Sequence, residues 1–285
     1  MRYETVSCIL CNTYNYKPLF SKPCENGEHF TLVQCKNCGL EFVNPRPHYN
    51  EMHTYYKEYF NKRTDRGYNN YFSELMHREV LRLLTLNLAD LQFYDFESSL
   101  QGEKYALDIG CAAGYFVDYL THRGWHAEGI DIAQDCIRFA QDTLHVNAYC
   151  GDFLTFQFSK RYQCITLWAT IEHLHNPDAF IEKIYSLLDD NGMLYLSTCR
   201  SSVFSARVLF GKNWRYYNFP HHLYFFSYRT LAKLLQLKGF AVTRFVTYGS
   251  GIGKPGTFVR TIADKAAKRL YLGDMMLIAA RKMVV

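Results

Sequence analysis

The chain has 285 residues, 48% hydrophobic, 21% charged and 16% aromatic, with a net charge of +5. This is enough for one α/β domain of about 180 residues beside a smaller unit, and it excludes a disordered or low-complexity protein. The positive surplus is scattered and no window nears the roughly 18 consecutive apolar residues of a membrane helix, so neither nucleic acid nor membrane is indicated as a partner.

The first residues, MRYETVSCILCNTY, lack the long apolar stretch of a signal peptide, and a cytoplasmic setting is expected. Four of the ten cysteines form two C-x2-C pairs, Cys8 with Cys11 and Cys35 with Cys38, 23 residues apart. Two thiolates three positions apart grip one ion from a single tight turn, so the pairs predict a zinc ribbon over residues 1–45. Gly39, after the last cysteine, permits the left-handed backbone of such a knuckle. Four thiolates close the coordination sphere, which makes the zinc structural. Cys24 and His29 lie between the pairs as alternative ligands. The unit carries few basic residues, Lys17, Lys22 and Lys36 among them, which argues against a nucleic-acid reader.

Residues 46–100 read as a helical connector: a Tyr-rich YYKEYF is followed by Tyr71, Leu75, Met76, Val80, Leu83, Leu84 and Leu88 at helical spacing. From 101 to 285 short β-branched runs alternate with helix-length segments. YALDIG, AEGIDI, VNAYC, QCITLW and MLYLSTC are predicted strands, and AGYFVDYLTHRG, AQDCIRFAQDTL and DAFIEKIYSLLDD the helices between them. The helix YRTLAKLLQLKG and the strands FAVTRFVTY and MMLIAARK complete the chain. Such alternation predicts a parallel, doubly wound α/β sheet. Met275 and Met276 are expected core residues of the last strand.

In LDIGCAAGYF a strand ends, turns on glycine and starts a helix. Gly110 and Gly114 let a ligand approach the backbone, and Asp131 ends the next strand, placed to accept both ribose hydroxyls. Asp108 would repel a pyrophosphate, so a dinucleotide is disfavoured and a cationic or amine-bearing ligand suits the turn. S-adenosylmethionine (SAM) carries both an ammonium and a sulfonium.

Together LDIGCAAGYF, GIDI, GDF and IEHLHNPDAF resemble the class I SAM-dependent methyltransferases, over residues 104–285. The resemblance implies a Rossmann-like seven-stranded sheet in which Asp108, Gly110 and Gly114 hold the amino-acid end of SAM, Asp131 the ribose, and Asp152 with Phe153 the adenine. Ala112 stands where many members have glycine, and a slightly tighter loop is expected. The ribbon, the FVNPRP stretch and the HHLYFFS segment are similar to a looser subgroup. It includes sugar C-methyltransferases and proteins of polysaccharide and natural-product clusters.

Chemistry is expected at the carboxyl ends of the strands, where Glu172 and His173 follow QCITLWA. The sugar C-methyltransferases resemble this with a Glu-His pair that assists proton removal, and quinone-precursor methyltransferases also carry one, so the pair does not choose the atom methylated. His173 is a candidate base, against a role packing on SAM or fixing its loop; His175 reads as a loop residue. His221 and His222 follow Trp214, Tyr216, Tyr217 and Phe219 in a long connection that suits a lid over a polar ring such as a sugar, or that covers the sheet edge. Arg200 and Arg215 are candidate phosphate contacts. The expectation is methyl transfer to oxygen or carbon of a small molecule, with a sugar, nucleotide sugar or glycan-like acceptor first. The alternatives are an RNA or protein methyltransferase using the ribbon for recognition, and a non-catalytic SAM- and zinc-binding interaction protein. The sequence leaves the oligomeric state open.

Overall fold

The computed structural model describes residues 2–24, 27–52, 71–201, 210–250, 252 and 257–284. The YYKEYF run and residues 203–209 of the aromatic segment lie outside them. The N-terminal unit contains β1 (Tyr3–Glu4), β2 (Tyr16–Pro23), β3 (His29–Cys35), β4 (Glu41–Val43) and β5 (Arg46–Pro47). β1 pairs with β5, so the unit runs past residue 45, through the cis Asn44–Pro45 bond.

The connector supplies α1 (Glu74–Asp90), started by the Ser73 hydroxyl accepting the Met76 amide, and α2 (Phe93–Ser99). Its helical period is real, but the inward stripe is narrow: Leu84, Asn87 and Leu88 are buried while Leu75 and Leu83 are exposed.

The alternating region then runs β6 (Tyr105–Ile109), α3 (Tyr115–His122), β7 (His126–Asp131), α4 (Gln134–Asp142), β8 (Asn147–Cys150), β9 (Tyr162–Trp168), α5 (Pro177–Leu187) and β10 (Leu188–Cys199). After it come β11 (Tyr224–Phe225), α6 (Tyr228–Leu237), β12 (Phe240–Tyr248), α7 (Phe258–Arg269) and β13 (Met275–Lys282). The sheet is seven-stranded in the order β12-β13-β10-β9-β6-β7-β8, with β13 antiparallel to both neighbours and the others parallel. The doubly wound, Rossmann-like α/β sheet is as expected, but it is mixed rather than parallel throughout, because β13 runs antiparallel between β10 and β12. Met275 and Met276 are buried on β13.

β6 and β9 are neighbours from which the chain winds in opposite directions, and ligands of open α/β sheets bind outside the carboxyl ends at such a switch point. The two faces of the sheet carry two apolar cores. One is shared with α1 to α4; the other joins α5 and α6 to Cys8, Phe30, Leu32, Leu40 and Phe42 of the N-terminal unit.

That unit is therefore packed into the larger one. Its second sheet, β11-β4-β3-β2, takes β11 from residues 224–225. The aromatic segment fills the joint: Trp214, Tyr216, Tyr217 and Phe219 are buried, and Phe20 of β2 meets the rings of Tyr217 and Phe219 at 5.0 and 6.2 Å. Of the two roles expected for these rings, lining a polar-ring pocket or covering apolar surface, the burial favours the second. Phe219 is buried against Phe20 of the N-terminal unit, and Trp214 against the rings of Tyr216 and Tyr217, each at 5.0 Å.

Candidate functional site

Each C-x2-C pair sits in a turn closed by main-chain bonds. Cys8 carbonyl accepts the Cys11 and Asn12 amides at 3.2 and 2.7 Å, and Cys35 carbonyl accepts the Gly39 amide at 2.9 Å. Asn12 (φ +47°) and Gly39 (φ +80°) hold the same left-handed position after each pair, Asn being among the few side chains tolerated there.

Donor sulfurs of Cys8, Cys11, Cys35 and Cys38 all lie within 4.8 Å of one another, with Cys8 and Cys38 sulfurs 3.5 Å apart. A tetrahedron of 2.3 Å bonds has edges of about 3.8 Å, so the four thiols fit one zinc ion. Cys24 and His29 stand at the far end of the β2–β3 hairpin, where Pro23 faces His29 while Tyr16 faces Cys35. Six strand residues span about 20 Å, which removes both as ligands.

At the switch point the glycine turn and the loop after β9 touch. Gly110 (φ +74°) has no room for a side chain, since a Cβ would lie 2.6 Å from the Thr170 hydroxyl. Ala112 takes φ +46°, a conformation that a non-glycine residue adopts at some cost. Asp108 is buried and accepts the Thr166 hydroxyl at 2.6 Å; burial, with the nearby Asp131 charge, pushes its carboxyl up to about 7. Asp131 caps the two turns beside it, accepting the Ala112 amide at 2.9 Å and the Ala133 amide at 2.8 Å, and burial raises its pKa.

Asp152 accepts the Leu154 amide at 2.8 Å and the hydroxyl of Tyr49 at 2.9 Å. Tyr49 follows the ribbon, 103 positions earlier, and nothing local in the sequence marks it. Phe153 has its ring in the core against Phe158 and Phe180, at 5.8 and 5.0 Å, so what it offers a ligand is its main chain.

The loop after β9 turns through Ile171–His173 and brings Glu172 and His173 together with His222, donor atoms of the three lying within 4.8 Å. Glu172 is buried and accepts the Thr198 hydroxyl at 2.8 Å; burial pushes its carboxyl up to about 7. His173 and His222 rings meet edge to face, centroids 4.6 Å apart. His173 Nδ1 donates to the His221 carbonyl and His222 Nδ1 to the Tyr216 carbonyl, both at 2.8 Å. His221 thus enters through its main chain; its own ring is outside the cluster.

The N-terminal unit is linked to this turn through Leu223. Leu223 carbonyl accepts the Val43 amide and its amide donates to the Glu172 carbonyl, both at 2.8 Å.

Residues around the cluster have structural partners of their own. His175 is a loop residue, as expected, and it is buried: its Nε2 donates to the Pro47 carbonyl at 3.0 Å, and burial drives its pKa down to about 4. Arg46, which the sequence gave no reason to single out, bonds Glu4, the His175 carbonyl and the Tyr224 hydroxyl at 2.7, 2.8 and 3.1 Å, tying the two units. Arg215 pairs with buried Asp274 at 3.1 Å, and Arg200 bonds the Tyr271 carbonyl, so both candidate phosphate contacts have structural partners.

The fold is shared with known proteins. A ubiquinone biosynthesis O-methyltransferase from Coxiella burnetii is 28% identical over 119 residues, 40% of this chain and 50% of that protein; the chain thus spans about half the length of that curated relative. Among solved structures, a SAM-dependent methyltransferase from Methanosarcina mazei aligns with a TM-score of 0.51 at 16% identity, covering 67% of this chain and 97% of that one. The [4+2]-cyclase SpnF aligns at 0.50 with 18% identity, covering 72% and 81%. Likeness at this identity concerns the fold, and the cyclase shows how little the fold alone says about the reaction. No helix among the described residues is long and apolar enough to cross a membrane. A family profile described as a methyltransferase domain matches residues 68–244, more than half of the chain, and the protein belongs to that family.

Proposed function

We propose that the protein transfers the methyl group of SAM to a hydroxyl oxygen of a small molecule, at a site walled by the ribbon. The observation that carries the reading is the meeting, at the switch point, of a glycine turn backed by Asp108 and Asp131 with the Glu172, His173 and His222 cluster.

In this reading Asp108, Gly110 and Gly114 take the amino-acid end of SAM, Asp131 the ribose, and Asp152 with the Phe153 main chain the adenine. When bound, SAM supplies an electrophilic methyl carbon whose bond to sulfur breaks in an in-line displacement. The chain's part is to align the acceptor and to receive its proton. A carbonyl accepts hydrogen bonds only, so Nδ1 of His173 and of His222 each carries the hydrogen, and the neutral form of either ring has its lone pair on Nε2. His173 Nε2 is the base of the proposed transfer, and Glu172, held by Thr198, stabilises the ring once protonated.

Oxygen is favoured over carbon by the O-methyltransferase relatives. A sugar acceptor has lost the aromatic platform that recommended it, so phenolic as well as sugar hydroxyls belong in the screen. Four cysteines around one zinc make the ribbon a structural module in the same proposal. With Lys22 bonded to the Tyr217 carbonyl at 2.8 Å, it has little basic surface for nucleic acid.

The test is turnover of labelled SAM against panels of catechol-type phenols and nucleotide sugars. His173→Ala is expected to lower kcat by about 10²- to 10⁴-fold, the usual worth of a positioned base, with SAM affinity kept within about threefold. Unaltered turnover in the variant would remove His173 from the mechanism.

A further inference from the structure

We infer that Glu172, His173 and His222 form a binding site for a divalent transition-metal ion, distinct from the ribbon site, at the acceptor end of the cleft. The inference deepens the proposed function and rests on it, since it names what would hold the acceptor oxygen there.

Three observations converge. Donor atoms of the three side chains lie within 4.8 Å of one another, although His222 is far from the other two in sequence. Both imidazoles donate Nδ1–H to a main-chain carbonyl at 2.8 Å. That is the outer-shell bond by which ligating histidines are oriented and kept in the tautomer with a lone pair on Nε2. The carboxylate of Glu172 is 2% exposed and is held by the Thr198 hydroxyl and the Cys199 amide, yet among the described residues no lysine or arginine pairs with it. Burying a carboxylate without a cation is costly, and a bound metal ion is one way to meet the charge.

The scaffold is also fixed from both sides. The Leu223 amide bonds the Glu172 carbonyl at 2.8 Å, clamping the segment that carries His222 to the turn that carries Glu172 and His173. Two imidazoles and one carboxylate suit a borderline divalent ion such as zinc, cobalt or ferrous iron, and they leave positions open for other ligands. A hydroxyl taken at an open position is acidified by the ion, which serves methylation at oxygen. In the loaded protein His173 is a ligand and no longer the base: the metal-bound hydroxyl releases its proton to solvent before transfer, and the role of base given to His173 above belongs to the metal-free protein.

The experiment uses the full chain, stripped with a chelator and titrated with cobalt(II) while visible absorption and metal content are followed. Two equivalents per chain are expected: one with the sulfur-to-metal charge-transfer band of the thiolate ribbon, and one without it. His173→Gln and His222→Gln should each abolish the second equivalent, or weaken it at least tenfold, while the thiolate band stays, which also reports that the variants fold. A wild-type protein that takes only one ion, all of it with the thiolate band, overturns the inference. So does a second equivalent that persists undiminished in both variants. SAM binding to the same samples separates the two claims: binding to a one-ion protein sinks the metal site alone. Two ions without SAM binding sink the cofactor reading and leave the metal site standing.

Discussion

Replacing Cys35 with serine is expected to strip the ribbon of its zinc and to lower the thermal midpoint of the whole chain by about 10 °C or more. A structural zinc contributes on the order of 10–16 kcal/mol to the unit it folds. Loss of even about 3–5 kcal/mol of this moves Tm by roughly 2–4 °C per kcal/mol in a chain of this size.

The effect should not stay in the ribbon. Cys8, Phe30, Leu32, Leu40 and Phe42 belong to the same apolar core as α5, α6 and the aromatic segment, and β4 pairs with β11. Tyr49, on Asp152, and Leu223, between Val43 and Glu172, carry the disturbance to both ends of the site. The variant should therefore lose SAM affinity and turnover together, with metal content falling by one equivalent. Elemental analysis and calorimetric unfolding check this. Full zinc at an unchanged Tm would mean that the four sulfurs do not share an ion.

Asp108→Asn should weaken SAM binding by about 100-fold, near 3 kcal/mol, the range in which removing one partner of a buried charge pair falls. Asparagine keeps the shape and can still accept from the Thr166 hydroxyl, so the loss is one of charge.

The wild type adds a pH signature. Burial pushes the Asp108 carboxyl up to about 7, and the cationic ligand selects the ionised form. Below about pH 7 the dissociation constant should then rise by up to tenfold per pH unit, with a proton released on binding. The asparagine variant should show a flat profile. For the free protein the sign is opposite: a carboxyl that binds its proton more tightly when folded opposes folding increasingly as pH rises from about 4 to 7. Asp108→Asn should accordingly leave the ligand-free protein no less stable at pH 8. Calorimetry across pH in buffers of different ionisation enthalpy reads all three. A pH-independent affinity in the wild type would place the ammonium elsewhere.

What the sequence revealed follows from how local each signal is. The glycine turn, Asp131 at the next strand end and the Glu172–His173 pair sit within short segments whose residue types are set by the backbone conformation they need, and each lies where the spacing placed it. The strands and helices from 105 to 199 were legible for the same reason, since apolar periods of about 2 and 3.6 residues alternate there.

What was hidden is non-local. Tyr49 reaches Asp152 and Arg46 the His175 carbonyl because the N-terminal unit packs on the larger one, and His222 reaches Glu172 because the Leu223 amide bonds the Glu172 carbonyl. α7 escaped because just Ala267 of its twelve residues is buried, which leaves no apolar stripe to read. The aromatic run from Trp214 to Phe226 announced a large buried surface without saying against what, and its partner turned out to be Phe20 and the ribbon.

The most direct test of the account is calorimetric titration of the folded, zinc-loaded protein with SAM and with S-adenosylhomocysteine. The account predicts saturable one-site binding of both with dissociation constants of about micromolar order, roughly 8 kcal/mol, and loss of most of that affinity in Asp108→Asn. A folded, zinc-loaded protein that binds neither ligand would contradict the account and leave the chain as a methyltransferase fold put to another use.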